Sequence, residues 1–192
     1  TQKWTDNIYF GAGIGGMEAA RVLALRGHIP VIFEKSDKTG GVFNAAAAPY
    51  FKEKDKELLA WYAKEIKDLN IEVRFNSEIT SKEQLKDFDD VIVASGAEAN
   101  RPRIPGLEKS MEACDYLYGK EVGEKVIIVG GGLTGCEIAY DLFKKGKTPI
   151  IIEMKNDLIA VKGVCLANSS YLRDFFELNK VEVHLETSLV KV

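Results

Sequence analysis

At 192 residues, with 46% hydrophobic and 29% charged side chains, the chain fits one ordinary globular domain or two small ones and excludes a disordered or fibrous protein. Its formal net charge of −3, without long blocks of like charge, excludes a general attraction to nucleic acid or to an anionic membrane surface. Apolar runs reach only about six residues, against the roughly twenty of a membrane-crossing helix, so the sequence reads as soluble.

The first element expected is a short strand at 8–10, preceded by polar residues and carrying bulky Tyr9 and Phe10 where small branched residues are usual. A glycine turn follows, "GAGIGG", then a helical pattern over 14–26 closed by Gly27, then a buried strand "PVIFE" at 30–34. Next come an amphipathic helix over about 53–69, a strand at 71–75, a short helical stretch near 82–86 and a strand at 90–95. The last of these runs into "SGAEANRPRIPG", whose Pro102, Pro105 and Gly106 predict an extended hinge between two domains. A second strand, turn and helix begin in "VIIVGGGLTGCEIA" at 126–139, followed by the strand around Ile151, a helix near 169–178 and a strand at 181–186.

The second turn repeats the first. Shifting residues 11–34 by 119 positions, without a gap, gives ten identities in 24 positions, among them Gly11, Gly13, Gly16 and Glu34 on Gly130, Gly132, Gly135 and Glu153. Each residue type has a physical task in such a βαβ unit. The first glycine permits the tight turn, the second lets backbone approach a pyrophosphate, and the third lets the helix pack on the strands. The helix N-terminus offers unpaired N–H groups to the phosphates. A carboxylate 18 residues after the third glycine, Glu34 or Glu153, accepts from the ribose hydroxyls. One such turn is weak evidence, whereas two with matched strand, helix, closing glycine and carboxylate predict two dinucleotide sites.

These turns, with Glu34, "TGG" at 39–41 and "ASGAEANRPRIPG" at 94–106, resemble the flavoproteins built from two dinucleotide-binding domains. More narrowly, "GMEAARVLALRGHIPVIFEKSDKTGGVFNAAAAP" at 16–49 is similar to the C-terminal region of the NADH:flavin oxidoreductases related to Old Yellow Enzyme, the group of 2-enoate reductase, 2,4-dienoyl-CoA reductase and trimethylamine dehydrogenase. The resemblance implies an α/β fold of two Rossmann-like, doubly wound dinucleotide-binding domains, the second incomplete. It divides the chain into an FAD-binding part at 1–106, a linker at 107–123 and part of an NAD(H)-binding domain at 124–192. It implies that Gly11, Gly13, Gly16, Glu34, Lys35, Gly41 and Gly96 line the FAD site, with Val42 and Asn44 toward the flavin end. It places NADH on Gly130, Gly132, Gly135 and Glu153, with Lys155 leaving NADPH open. The function implied is hydride transfer from NADH to FAD, feeding FMN and 4Fe-4S centres of a barrel domain that reduces an activated C=C bond of an enoate or enoyl-CoA type. The barrel is not in this sequence, and the family returns to the FAD domain beyond the point reached at Val192.

Cofactor chemistry of this kind needs no protein nucleophile or general base, so no catalytic side chain and no metal ligand is assigned. His28 reads as surface, His184 as structural and Cys136 as packing rather than a reactive thiol. Arg101 and Arg103 either touch a phosphate or solvate the hinge, and Ala45, Ala46, Ala47 and Ala48 read as close packing near a cofactor. One alternative is an adenosine-nucleotide-binding scaffold without redox role. Another is an NADH-dependent disulfide or ferredoxin reductase-like flavoprotein, although residues 40–50 lack the cysteine pair of a disulfide reductase. Three widely spaced cysteines and no secretory pattern predict a cytoplasmic protein, and self-association is left open.

Overall fold

The computed structural model describes residues 6–163 and 165–192; residues 1–5 and Val164 lie outside the described residues. The chain divides into two compact units, Thr1–Asn100 and Arg101–Val192.

The first unit holds β1 (Asp6–Phe10), α1 (Ile14–Leu25), β2 (Ile29–Phe33), α2 (Phe43–Ala46), α3 (Glu53–Asp68), β3 (Glu72–Arg74) and β4 (Asp90–Val93). Its strands form one parallel sheet in the order β3-β2-β1-β4. A parallel neighbour requires a crossover, which α1 supplies between β1 and β2 and α3 supplies between β2 and β3. The core forms where these helices lie on the sheet: Met17 and Ala20 of α1, Ile32 of β2, Tyr62 and Ile66 of α3, and Ile71. Burying each of the larger side chains stabilises the unit by about 1.5–3 kcal/mol.

The second unit repeats the plan with α4 (Ala113–Leu117), β5 (Lys125–Val129), α5 (Leu133–Lys144), β6 (Thr148–Ile152), α6 (Leu166–Leu178) and β7 (Glu182–His184). The parallel order is β5-β6-β7, and Cys136, Ala139, Leu142, Ile151, Leu172 and Phe176 are its buried core. Helix α4 falls inside the stretch read as linker. It is tied to α5 by Tyr116, whose hydroxyl donates to the buried Asp141 carboxylate at 2.6 Å, with the Lys145 ammonium on the same oxygen at 2.6 Å. The outer face of β5 carries exposed Ile127 and Val129.

The repeat read from sequence extends to backbone detail. Gly27 and Gly146 close α1 and α5 at φ 85° and 79°, the left-handed conformation that ends a helix without a Cβ clash. Asn70 and Lys180 both take φ 53°, and Asn76 and Glu186 both take φ 51°. These pairs are separated by 110 residues rather than 119, because the stretch from β2 to the start of α3 is six residues longer than that from β6 to α6 and α3 is three residues longer than α6.

Candidate functional site

Each glycine turn leaves its strand through a backbone hydrogen bond to the neighbouring strand, Gly11 N–H to Phe33 O and Gly130 N–H to Ile152 O, both 2.8 Å. A Cβ on Gly16 would stand 1.9 Å from the Gly11 carbonyl oxygen, and one on Gly135 would stand 1.9 Å from that of Gly130. Only glycine permits this approach. Gly11 is hemmed in as well, since a Cβ there would meet the Ala94 carbonyl at 2.5 Å, which sets residues 94–96 over the first turn.

Both helices begin on a glycine in matching conformation, Gly13 at φ −70° and ψ 176°, Gly132 at φ −70° and ψ 179°. Neither carries a side-chain cap or an acidic residue in its first turn. Helix α3 also lacks a side-chain cap but places Glu53 and Asp55 in its first turn, and α6 has neither. In α1 and α5 the first helical bonds run from Met17 to Gly13 and from Cys136 to Gly132, so the N–H groups before them have no intrahelical acceptor. No side chain stands within 4 Å of a Cβ built on Gly13 or Gly132. The result, twice over, is an open ring of N–H donors at a positive helix end, suited to a pyrophosphate.

A buried carboxylate closes each ring. Glu34 accepts from Ala12 N–H at 2.7 Å, from Ser36 N–H at 2.8 Å and from the Ser36 hydroxyl at 2.7 Å. Glu153 accepts from Gly131 N–H at 2.6 Å and from Lys155 N–H at 2.8 Å. Burial pushes the Glu34 pKa up, but the bonds from Ser36 and Ala12 outweigh it and hold the carboxyl below its ordinary value. An ionised carboxylate offers about four lone-pair sites, so both retain capacity for a ribose hydroxyl, and Glu153 retains more.

The loops beyond the carboxylates differ. In the first unit, Gly40 donates to the Ala12 carbonyl at 2.7 Å with φ 101°, and Gly41 follows at φ 53° against Gly13. In the second, the residue 119 positions on from Gly40 is Ile159, which donates to Gly131 O at 2.7 Å with φ 51°. A β-branched residue there costs about 1–2 kcal/mol in backbone strain. Leu158, buried, lies over Gly131, where an added Cβ would meet its Cδ2 at 2.5 Å. Sequence reading passed over Ser36, Leu158, Ile159 and Arg173; the repeat continued past Glu34 would have exposed the exchange of Gly40 for Ile159.

The remaining expected residues fall as follows. Asn44 spends its amide on the Thr39 and Gly41 carbonyls at 2.8 and 3.1 Å, so it shapes its own loop. Val42 and Lys35 are exposed, as is Gly96 at φ 77°. Cys136 is buried, its thiol donates to Gly131 O at 3.3 Å, and burial together with Glu153 pushes its pKa up to about 12. Arg101 pairs with Glu112 at 3.0 Å, and exposed His184 pairs with Glu182 at 2.8 Å. Among the described residues no group of His, Cys, Asp and Glu has metal-binding geometry, and no helix is long and apolar enough to cross a membrane.

Residues 8–192 match the family described as pyridine nucleotide-disulphide oxidoreductase. The chain belongs to that family. The chain is 43% identical over 188 residues to cinnamate reductase of Clostridium sporogenes, covering 96% of this chain and 28% of that protein. It is 37% identical over 181 residues to NADH oxidase of Thermoanaerobacter brockii, covering 89% of this chain and 27% of that one. Among solved structures it matches 2-naphthoyl-CoA reductase with a TM-score of 0.89 at 26% identity, covering 99% of this chain and 29% of that one. The chain therefore spans less than a third of the length of each of these relatives. Its two parallel-sheet units have the Rossmann-like form of this family's dinucleotide-binding domains. The disulphide in the family's description has no counterpart at residues 40–50, and the free thiols Cys114, Cys136 and Cys165 lie elsewhere.

Proposed function

We propose that the first turn holds FAD, the second holds NADH, and the pair is the electron-entry portion of a larger reductase. When both cofactors are bound, hydride passes from the nicotinamide to the flavin. The chain's own groups bind and orient: the N–H groups at the starts of α1 and α5 take the pyrophosphates, and Glu34 and Glu153 take the adenosine riboses. The observation that carries this reading is the congruence of the two turns, each with an uncapped helix end and a buried carboxylate.

The first turn is assigned to FAD by its resemblance to the FAD turn of such flavoproteins, and in support Gly41 lies against Gly13 and the Ala94 backbone against Gly11. A 2′-phosphate would face the Glu153 carboxylate, which favours NADH over NADPH, and the Lys155 ammonium is already engaged by the Ala160 carbonyl at 3.0 Å. The relatives named cinnamate reductase and 2-naphthoyl-CoA reductase support a conjugated acid or its CoA thioester as final acceptor, reached through the FMN and iron–sulfur centres of a barrel domain. The three free cysteines support a reducing, cytoplasmic setting.

The test is mass detection of the small molecules released when natively purified protein is denatured. FAD is the expected result; ADP or AMP alone would replace this reading with a nucleotide-binding scaffold. Glu153→Arg then tests the second site, and an unchanged preference for NADH over NADPH would show that this carboxylate does not read the ribose.

A further inference from the structure

The loop after β6 is held from the following helix by a guanidinium fork. Arg173 of α6 sends Nε and Nη2 to the Leu158 carbonyl at 3.1 and 2.6 Å, and the same two nitrogens to the Asp157 carboxylate at 3.1 and 3.0 Å. A planar guanidinium suits this double grip, because its donors are fixed in one fork. Leu158 and the Glu153 side chain both lie over Gly131, and the residue after Leu158, Ile159, bonds the Gly131 carbonyl from a left-handed backbone. The Gly131 N–H is in turn held by Glu153. One continuous set of contacts therefore runs from α6 to the turn that faces the dinucleotide.

In the first unit the helix residue 110 positions before Arg173 is Ala63, exposed and without a donor to give. The loop there has Gly40 in place of Ile159, and glycine takes positive φ freely. The guanidinium fork thus stands in the unit whose loop carries the strained residue, whereas Leu59 of α3 lies at Gly40 in the first unit.

We infer that Arg173 is a positioning residue for dinucleotide binding at the second turn, acting through Asp157 and the Leu158 carbonyl to seat Ile159 beneath Gly131. This rests on the reading that the second turn binds NADH. With the clamp removed, the loop relaxes away from Gly131 and the N–H ring and Glu153 lose their register with the ligand. The flavin site, in the other unit, keeps its geometry.

The experiment uses the full-length flavoprotein, with NADH oxidation followed against an artificial electron acceptor and NADH binding measured directly. Arg173→Ala is expected to raise KM and Kd for NADH about tenfold while kcat and FAD content stay near the parent values. Arg173→Lys should recover only part of the loss, since an ammonium lacks the fork, and added guanidinium ion should restore Arg173→Ala toward the parent KM. In an Ile159→Gly background the effect of Arg173→Ala should shrink, because glycine needs no clamp. Should Arg173→Ala fail to fold, Asp157→Asn removes one half of the grip at the surface, and a smaller rise in KM is expected. Unchanged NADH affinity in the folded Arg173 or Asp157 variant would overturn the inference, as would a loss that neither guanidinium nor Ile159→Gly alters. Failure of the parent protein itself to bind NADH would instead overturn the proposed function.

Discussion

The two glycine turns share a backbone and differ in what lies over it. Both place a carboxylate on the N–H of the residue after the first glycine, Ala12 in one and Gly131 in the other, and both start an uncapped helix two residues later. Around the first turn, the loop contributes glycines and a serine that adds a third hydrogen bond to Glu34. Around the second, it contributes a buried leucine and a strained isoleucine, and two cations, Lys155 of the loop and Arg173 of α6, grip loop carbonyls. The dinucleotide cradle is thus set by a few backbone requirements, and the side chains of the following loop are free to specialise each copy.

The largest effect expected from breaking this comparison is at the third glycines. Gly16→Ala and Gly135→Ala force a Cβ to within 1.9 Å of a carbonyl oxygen, so each should destabilise its own unit by about 1–3 kcal/mol or more and abolish binding at that turn. Denaturant unfolding and bound-cofactor analysis would check this; simultaneous loss of both ligands from either variant would show that the sites are not separate. Gly132→Ala sharpens the point, because a Cβ there meets no atom within 4 Å. Its stability should change by no more than about 0.5 kcal/mol while NADH affinity falls, and unchanged affinity would remove Gly132 from the phosphate site.

Next come the carboxylates. Glu34→Gln should cost about 1.5–3 kcal/mol and Glu153→Gln less, since Glu34 accepts three hydrogen bonds and Glu153 two. The acid limb of stability follows from the same bonds. The Glu34 pKa is held below its ordinary 4.5, so its contribution is present above that pH and is lost as pH falls through the lowered folded value. The unfolding free energy of the parent should therefore decline more steeply below about pH 4.5 than that of Glu34→Gln, and parallel acid limbs would exclude Glu34 as the source.

The smallest effect concerns the thiols. Exposed Cys165 should react with a thiol reagent first and half-buried Cys114 more slowly, whereas Cys136, pushed up to about 12, should react only after unfolding. Because burial favours the neutral Cys136 thiol, its contribution is intact below pH 9 and is lost as pH rises from 9.0 toward about 12. Rapid native labelling of Cys136 would contradict the packed turn.

Much of this was legible in the chain. The glycines, the closing Gly27 and Gly146, and the carboxylates at equal spacing follow from rules that act on backbone over a few residues: positive φ, close approach, and a helix end that needs a partner. The fold class and the family resemblance rest on the same positions. Short elements without periodicity, such as α2 and α4, left no readable pattern, and α4 sits where only a linker was expected.

The sequence by itself determined that two matched glycine turns exist and which residues form them, because a turn of this kind is a local object. Only the tertiary structure decided what each carboxylate holds, that Asn44 serves its own loop, and that Arg173 reaches from α6 to the loop after β6. Those contacts join residues far apart in sequence, 15 positions for Arg173 and Leu158 and 22 for Glu153 and Gly131. Neither helical nor strand periodicity carries such pairings; packing of α6 on α5 brings Arg173 to its loop, and the pairing of β5 with β6 brings Glu153 to Gly131.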